Sequence, residues 1–376
     1  MKTALLHYWL TNMRGGEKVL RALGNMLPEA DMFTHAYLPE RFGETSRASL
    51  WGHPVKESFI AKLPLGRHHP QAYLPFMPLA SRSLRLDGYD LVISSESGPI
   101  KGIRKARNMR HICYCHTPMR YLWDMHDEYY RAAGFGGKMA MRMFTGYLRR
   151  EDLESADAVD AFVANSEFVA ERIGRIYGRK ASVVHPPVDV DFFSQAVADS
   201  SAPPPFADSP YYLYAGELRD YKRPDLAIDA CLRLNRRLVV VGNGRLQETL
   251  RRRIGGRGDV IFLGRVSNDG LRKAFAHAKA LLFPGVEDFG IVPVEAQAAG
   301  TPVMAFGKGG ALETVKADET GLFFREQTVD SLCGAIEAFE GRSWNPDACI
   351  ANAKRFAAER FVAGMENVMK GMGLWI

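Results

Sequence analysis

Two carboxylates eight positions apart, Glu287 and Glu295, stand in the apolar stretch LLFPGVEDFGIVPVEAQAAGTPVMAF, residues 281–306. The pattern predicts a buried strand end, a loop that carries Glu287, a short helix that starts near Gly290, and a second buried strand. The free amides at a helix N-terminus, here residues 289–291, can hold a phosphate or a sugar hydroxyl. Carboxylates accept hydrogen bonds from the hydroxyls of a ribose or a hexose. The stretch therefore indicates a site for a nucleotide sugar.

Two further places combine a strand end with polar or small residues. HICYCH, residues 111–116, is a buried-type strand that ends at His116, and ligands of α/β sheets bind beyond the carboxyl ends of the strands. KTALLHYWL predicts a first strand, and Gly15 and Gly16 follow it as a turn into an amphipathic helix, an order that allows close backbone approach to a phosphate. A structural histidine and a plain glycine turn are the alternative interpretations.

The two glutamates and the intervening Phe289 and Gly290 resemble the signature of retaining glycosyltransferases of family 4, also called glycosyl transferases group 1. Further segments that resemble this family occur in the expected order along nearly the whole chain: RGGEKVL (14–20), CYCHTPMRYLW (113–123), GELRDYKRPDLAI (216–228) and LGRVS (263–267). The resemblance implies the α/β GT-B fold, in which two Rossmann-like domains with doubly wound parallel sheets face each other across a cleft.

The resemblance also implies roles for individual residues. It places phosphate-binding cations in the loop after the strand YYLYAG, where Arg219 and Lys222 stand. The chain departs from the family pattern there, because Glu217 follows the glycine where many relatives carry arginine; Lys222 matches the pattern, and Arg219 is the candidate substitute. The resemblance further implies that the transferred sugar contacts His116, Glu287 and the amides that follow Asp288, at Phe289, Gly290 and Ile291. It implies that Glu295 binds the ribose and that the backbone at Arg265 and Val266 holds the nucleobase. The loop at Gly15 and Gly16 is implied to contact the donor.

Strands and helices alternate along the second half of the chain, which predicts a parallel doubly wound sheet. Residues 195–210, with small residues and three consecutive prolines, are predicted to be a linker. We therefore expect an N-terminal acceptor-binding domain over residues 1–194 and a C-terminal nucleotide-sugar-binding domain over residues 211–355. By the resemblance, a final helix over about 356–376 crosses back to the first domain.

The composition is that of an ordinary folded protein. With 376 residues, 47% hydrophobic and 24% charged, the chain is neither disordered nor a coiled coil and has room for two cores. No secretory signal opens it and no apolar run approaches the ~20 residues that span a bilayer, so we expect a cytoplasmic protein, soluble or peripheral. His111, Cys113 and Cys115 share one face of a strand, but they lack further ligands at suitable spacing, and no metal site is predicted.

The positive charge of the chain is concentrated in its first half. Residues 1–190 hold 26 Lys and Arg against 20 Asp and Glu, whereas residues 191–376 hold 23 of each, so the first half carries the whole excess of +6. No nucleic-acid module is recognisable. Two segments, 55–86 and 136–152, interleave basic residues with aromatic and apolar ones, a pattern typical of interfacial segments. Ordinary core helices are the alternative, and an anionic membrane surface is the expected partner.

The favoured interpretation is a retaining hexosyltransferase without a bound cofactor. Its resemblance to bacterial O-antigen and exopolysaccharide mannosyltransferases, strongest in HTPMRYLW and YKRPDLAI, implies transfer of mannose from GDP-mannose to a lipid-linked or polysaccharide acceptor in cell-surface glycan synthesis. It also implies front-face attack without a metal. The alternatives are a UDP-sugar donor, a GT-B sugar-nucleotide epimerase, and a scaffold that has kept the fold but lost turnover.

Overall fold

The computed structural model of the chain describes residues 1–198 and 204–374. It divides the chain into two compact units, one formed by Met1–Pro187 with Phe361–Ile376 and the other by Val188–Arg360. Each unit contains one sheet. Across the described ranges, no helix has both the length and the apolar character that crossing a bilayer requires.

The first unit is built on an eight-stranded sheet. Its strands are β1 (Thr3–His7), β2 (Asp31–Thr34), β3 (Ser49–Leu50), β4 (His53–Glu57), β5 (Leu91–Glu96), β6 (Arg110–Cys115), β7 (Ala161–Ala164) and β8 (Ala181–Val183). Their order in the sheet is β3-β4-β2-β1-β5-β6-β7-β8, and the described pairs are parallel apart from the antiparallel pair of β3 with β4. The strand order reverses between β1 and β5, which is where ligands bind in open α/β sheets.

Helices connect these strands. They are α1 (Gly15–Met26), α2 (Met77–Arg82), α3 (His126–Ala132), α4 (Phe135–Asp157) and α5 (Glu167–Tyr177). Ser166 caps the start of α5, because its hydroxyl accepts a hydrogen bond from the Val169 amide at 3.1 Å. The helix ends at Gly178, whose φ of 65° suits the left-handed closing position. The start of α1 differs from the prediction: Gly15 and Gly16 form its first turn, not a separate glycine turn.

The second unit contains a six-stranded parallel sheet. Its strands are β9 (Tyr211–Ala215), β10 (Leu238–Val241), β11 (Val260–Gly264), β12 (Ala278–Phe283), β13 (Val303–Phe306) and β14 (Gly321–Phe324). The order is β11-β10-β9-β12-β13-β14, with every described pair parallel, so the strand order reverses between β9 and β12. The predicted doubly wound sheets are confirmed.

Helices lie between the strands of this unit and follow them. They are α6 (Val190–Ala198), α7 (Pro224–Arg233), α8 (Gln247–Ile254), α9 (Asn268–Ala276), α10 (Ile291–Ala298), α11 (Ala311–Thr314), α12 (Val329–Glu340), α13 (Pro346–Ala353) and α14 (Ala358–Gly371), the last of which belongs to the first unit from Phe361 onward. Of the stretch predicted as a linker, residues 195–198 belong to α6 and Pro205–Ala207 form a 3-10 turn. Residues 199–203 lie outside the described residues.

The central strand β9 shows why the apolar segments of the second unit become buried strands. Tyr211, Leu213 and Ala215 pack into one hydrophobic core, whereas Tyr212 and Tyr214 pack into another. Alternate side chains of a strand point to opposite faces of the sheet, so both faces of β9 are covered. A parallel sheet with helices on both faces needs strands that are apolar throughout, which this segment supplies.

The ion cluster around Glu340, the last residue of α12, should make the stability of the second unit depend on pH. Hydrogen bonds from Arg236, and also from Lys279 and Tyr212, lower the pKa of Glu340 from about 4.5 to about 2. An acid with a lowered pKa stabilises the fold above its unfolded pKa and loses that contribution as the pH falls toward the folded pKa. We expect Glu340→Gln to reduce the free energy of unfolding by about 1–2 kcal/mol at pH 7, because the partners are partly exposed.

Urea denaturation of both proteins at a series of pH values checks this expectation. The difference between wild type and Glu340→Gln should shrink steadily below about pH 4.5, the pH at which the unfolded carboxyl takes up its proton. A difference that stays constant from pH 7 to pH 3 would contradict the assignment. Glu337→Gln, three residues earlier on the exposed side of the same helix, is the matched control and should change little.

Candidate functional site

The loops that follow strands β9, β12 and β13 pack closely at the carboxyl edge of the second-unit sheet. A methyl group added at Gly285 would lie 2.7 Å from Cα of Lys222, and one added at Gly309 would lie 2.5 Å from the Glu287 carbonyl oxygen. The amide of Gly310 donates to that same oxygen at 2.9 Å. Because contacts this short exclude a side chain, the glycines allow the loops to hold Lys222 and Glu287 in place.

Lys222 and Glu287 form an ion pair at the point where the strand order of this sheet reverses. Lys222 ends the 3-10 turn Asp220–Lys222 after β9, and Glu287 lies in the loop after β12. Lys222 Nζ is 2.5 Å from Glu287 Oε1, and the two side chains are 16% and 22% exposed. Burial alone lowers the pKa of Lys222, but attraction to Glu287, together with smaller contributions from Tyr221 and Glu217, raises it overall. The pair is thus a fixed, charged arrangement where a ligand of an α/β sheet is expected.

The structure places Arg219 against the glutamate that interrupts the family pattern. Arg219 Nε and Nη2 each lie 2.9 Å from Glu217 Oε1, and both side chains are partly exposed. The guanidinium is therefore already neutralised by a neighbour two residues away. Gripping a phosphate would require Arg219 to share that contact or leave it, so its assignment as a phosphate ligand stays a prediction.

The segment from Asp288 to Glu295 folds as the sequence predicts. Gly290 has a φ of 90° and caps α10, so the predicted helix start is confirmed, and Glu295 lies one turn inside the helix with 4% of its surface exposed. Asp288 and Phe289 are buried, and the Phe289 ring packs in the core with its centroid 5.4 Å from that of Phe356. Any contact of Phe289 with a ligand therefore comes from its backbone, whereas its side chain anchors the loop.

The remaining predicted residues of this unit lie on two neighbouring segments. Ile291 is the first residue of α10 and packs, half-buried, against the core. Arg265 and Val266 occupy the loop between β11 and α9, where Arg265 is exposed and Val266 packs against the same core. Gly264 precedes them with a φ of 69°, which turns the chain sharply out of the strand. The contact of this loop's backbone with a nucleobase stays a prediction.

In the first unit, His116 belongs to a polar network at the carboxyl edge of the sheet. Its Nε2 lies 2.8 Å from the Ser95 hydroxyl, which is also 3.1 Å from Nδ1 of His7. His7 and Ser95 are paired neighbours on β1 and β5, where the strand order reverses. Glu17 on α1 completes the network, with its Oε1 3.5 Å from His7 Nε2. The geometry therefore joins one residue that the sequence pointed to with three that it did not.

Gly16 is fitted against this network. A methyl group added to it would lie 3.3 Å from Cε1 of His7 and 3.4 Å from Nε2 of His116. Neither Gly15 nor Gly16 has a positive φ. The structure thus explains Gly16 by the room that two imidazoles need, whereas the sequence explained the glycines by a turn.

The cysteine pattern in β6 has a structural explanation. Cys113 and Cys115 pack in one hydrophobic cluster, and burial raises the pKa of the Cys115 thiol. Nε2 of His111 lies 2.9 Å from the Ser94 hydroxyl, and burial lowers the pKa of His111 to about 3. In the part of the chain that the structure describes, His, Cys, Asp and Glu side chains do not gather in threes or more as a metal ion would need.

Comparison with known proteins finds matches for both halves of the chain. Residues 13–192 match the family described as Glycosyltransferase Family 4, and residues 198–356 match glycosyl transferases group 1. The D-inositol 3-phosphate glycosyltransferase of Xylanimonas cellulosilytica is 32% identical over 228 residues, 54% of each chain. The GDP-mannose-dependent alpha-(1-6)-phosphatidylinositol monomannoside mannosyltransferase of Mycobacterium tuberculosis is 32% identical over 201 residues, 48% of this chain and 52% of the relative. The chain thus spans about half the length of these curated relatives.

The whole fold also matches solved structures. HepE of Anabaena, solved in complex with UDP, superposes with a TM-score of 0.70 over 99% of this chain and 100% of its own, at 17% sequence identity. Similarity at this level of identity shows the fold alone.

Proposed function

The chain belongs to the group 1, family 4-like glycosyltransferases of the GT-B type, and from that premise we propose that it transfers a hexose from a nucleotide diphosphosugar to an acceptor hydroxyl with retention of configuration. The observation that carries the proposal is the Lys222–Glu287 ion pair at the strand-order reversal of the second unit. A cation and a carboxylate held together are suited to a diphosphate and the sugar next to it.

The proposed role of each residue follows from the chemistry of its side chain or backbone amide. Lys222 neutralises charge on the leaving diphosphate, and Glu287 accepts hydrogen bonds from sugar hydroxyls. The amides at the start of α10 hold a sugar hydroxyl or a phosphate oxygen. Glu295 binds the ribose, and the backbone at Arg265 and Val266 holds the nucleobase, by resemblance to the family.

The proposed reaction is a front-face displacement. The bond between the anomeric carbon and the diphosphate oxygen breaks, and a bond from that carbon to the acceptor oxygen forms on the same face. The acceptor proton passes to the departing phosphate oxygen, so no enzyme carboxylate becomes attached to the sugar. Fixed cations and amides stabilise the departing charge in this route.

The favoured donor is GDP-mannose. Support comes from the mycobacterial relative, whose name specifies GDP-mannose dependence, together with the mannosyltransferase-like HTPMRYLW and YKRPDLAI segments. A UDP-sugar is the competing donor, because a nucleobase held by backbone groups leaves little trace in the side chains. Calorimetric titration with GDP, UDP and their hexose conjugates, without metal and then with magnesium, separates the two.

We expect GDP-mannose to bind most tightly and without metal. Preference for a UDP-sugar would keep the reaction class and overturn the donor. Turnover of the donor without any acceptor, with the sugar epimerised, would favour a GT-B epimerase. If none of the nucleotide sugars binds, the proposal is overturned in favour of an inactive scaffold.

We further propose that the acceptor is lipid-linked, or a growing polysaccharide, and that the first unit docks on an anionic bilayer at the cytoplasmic face. Its docking surface, here called the basic apolar surface, consists of exposed apolar side chains from 3-10 turns, loops and two helices. These are Leu65, Phe76, Leu79, Phe135, Met139 and Met143. Phe135 is 84% exposed, and the spacing of four between it, Met139 and Met143 places all three along one side of α4.

The two segments that carry this surface pack together within the first unit. Leu74 joins the same small cluster as Phe144 and Tyr147 of α4, and Arg82 is ion-paired with Glu151. The sequence contains no aspartate or glutamate over residues 58–86 or 129–150, where it has four and five Lys or Arg. Exposed apolar groups on segments with an excess of cations match an anionic lipid surface.

Binding to phosphatidylglycerol vesicles should therefore depend on α4. Loss of one inserted aromatic side chain removes about 1.5–3 kcal/mol of transfer free energy, so Phe135→Ser should weaken partitioning by at least about tenfold. The control is Leu312→Ser, which removes an exposed leucine, 57% exposed, from the second unit. Equal partitioning of both variants would contradict the docking surface, and a dimer broken by Phe135→Ser in sedimentation would assign it to a second copy of the chain.

A further inference from the structure

Four side chains of the first unit form a continuous line from a carboxylate to the imidazole of His116. Glu17 is 3% exposed, His7 and Ser95 are fully buried, and His116 is partly buried. The contacts run from Glu17 Oε1 to His7 Nε2, from His7 Nδ1 to Ser95 Oγ, and from Ser95 Oγ to His116 Nε2. The residues come from β1, α1, β5 and the loop after β6.

The protonation of each member of the line follows from that of the one before. His7 Nε2 is buried and makes no hydrogen bond within the described residues, but Glu17 Oε1 lies 3.5 Å away. A carboxylate in a buried place attracts an N–H and repels a lone pair, so the proton of a neutral His7 belongs on Nε2. His7 Nδ1 then accepts the single hydroxyl proton of Ser95, and the oxygen of Ser95 accepts a hydrogen bond from His116 Nε2–H.

We propose that Glu17 is a positioning residue which, through His7 and Ser95, fixes His116 as the Nε2–H tautomer. The ring nitrogen Nδ1 of His116 then carries a lone pair and accepts a hydrogen bond from a sugar hydroxyl. This inference rests on the proposed function for the role of His116 toward sugar. The order of the protons follows from the contacts of Glu17, His7, Ser95 and His116 with one another.

A simpler interpretation is that Glu17 only caps α1, since its Oε2 accepts a hydrogen bond from the Arg14 amide at 2.9 Å. Glutamine serves in such a capping box as well as glutamate does. It has only one oxygen, however, and keeping that oxygen on the Arg14 amide turns its NH₂ group toward His7 Nε2. The preferred proton position then reverses along the line and moves the His116 proton to Nδ1. Glu17→Gln thus preserves the cap and changes the tautomer.

Nuclear magnetic resonance of the full chain labelled with ¹⁵N-histidine tests the proposal. Two-bond proton–nitrogen correlations at pH 8, above the unperturbed imidazole pKa of about 6.5, show which ring nitrogen carries the proton. The signals of His116 are identified among ten histidines by their loss in His116→Gln. We expect Nε2–H in the wild type and a shift toward Nδ1–H in Glu17→Gln. Nδ1–H in the wild type, or an unchanged His116 in Glu17→Gln, would overturn the proposal.

Two more variants secure the test. Ser95→Ala removes the link, so His116 should lose its single tautomer; this variant decides the matter should Glu17→Gln not fold. Ser94→Ala is the matched control, because the Ser94 hydroxyl contacts His111, not His116. It should leave the His116 signals unchanged, and a His116 change in Ser94→Ala as large as in Ser95→Ala would overturn the specific path.

Steady-state rates connect the tautomer to the reaction. Glu17→Gln should lower kcat by about tenfold with little change in the donor KM. In this variant Nδ1 of His116 carries a proton, so it no longer accepts a hydrogen bond from the hydroxyl of the reacting sugar. The tautomer is measured without any donor. A protein that binds no nucleotide sugar but shows the predicted tautomers would overturn the proposed function and leave the positioning line intact. A shifted tautomer with an unchanged kcat would overturn the functional part of the inference.

Discussion

Replacing Lys222 or Glu287 by alanine is expected to lower turnover at least about a hundredfold in a protein that stays folded. Removing one preorganised charged contact to a developing charge has an effect of this order. Lys222→Ala takes away the cation placed for the leaving diphosphate, and it also leaves Glu287 without the partner found 2.5 Å away. Glu287→Ala takes away the acceptor for sugar hydroxyls. The measurement is kcat at saturating donor, with circular dichroism and thermal unfolding as checks of folding.

A purely structural ion pair would give a different pattern. If Lys222 and Glu287 only stabilise the loops, removing both should restore much of the activity, because no unpaired charge then remains. If they act on the donor, the double variant should be about as inactive as the single ones. Arg253→Ala is the matched control, since it breaks the exposed Arg253–Asp229 pair of the same unit. It should keep turnover within about twofold, and near-normal rates in folded Lys222 and Glu287 variants would contradict the site.

Much of the second-unit fold could be predicted because its signals are local. Strands β9, β10 and β12 can be identified from their own residues. Each is an uninterrupted apolar run that is followed by a glycine and then by a segment whose apolar residues recur with the spacing of a helix. The start of α10 at Gly290 followed in the same way. Strand β14 cannot be predicted in this way, because four residues of the type GLFF are too few to distinguish a strand from part of a helix. Its assignment requires the pairing with β13, which only the folded chain supplies.

The site could be predicted only where the family pattern or a strand end marked it. Lys222 and Glu287 were both expected, but nothing in the sequence joins residues 65 positions apart into an ion pair. His7 and Ser95 are 88 positions apart and meet only because β1 and β5 are neighbours. A usable signal was present, since both are polar residues that follow the apolar part of a strand. The pairing of Arg219 with Glu217 depends on side-chain rotamers, about which sequence order says nothing.

Replacing Lys101 by methionine is expected to destabilise the first unit by about 3–5 kcal/mol. Lys101 is 1% exposed; its Nζ lies 2.7 Å from Glu96 Oε1 and contacts Asp152 as well. Burial alone raises the pKa of Glu96, and the lysine counteracts that rise. Without Lys101, two carboxylates face each other in a buried place. Trp123 and Tyr177 also donate to Asp152, so the loss extends to the loop and helix that these residues anchor.

Chemical denaturation of the full chain measures this loss, with the unfolding of the first unit followed by the change in its tryptophan fluorescence. Lys105→Met is the matched control, because Lys105 pairs with Asp160 near the surface and should contribute about 1 kcal/mol or less. Adding Glu96→Gln and Asp152→Asn to Lys101→Met should recover part of the loss, since neutral amides replace the unpaired charges. The loss of unfolding free energy in Lys101→Met should also grow as the pH rises. An acid whose pKa is raised in the folded state destabilises the fold increasingly as the pH rises from its unfolded pKa to its folded pKa. Equal losses in the Lys101 and Lys105 variants would show that the buried cluster is no more important than a surface pair.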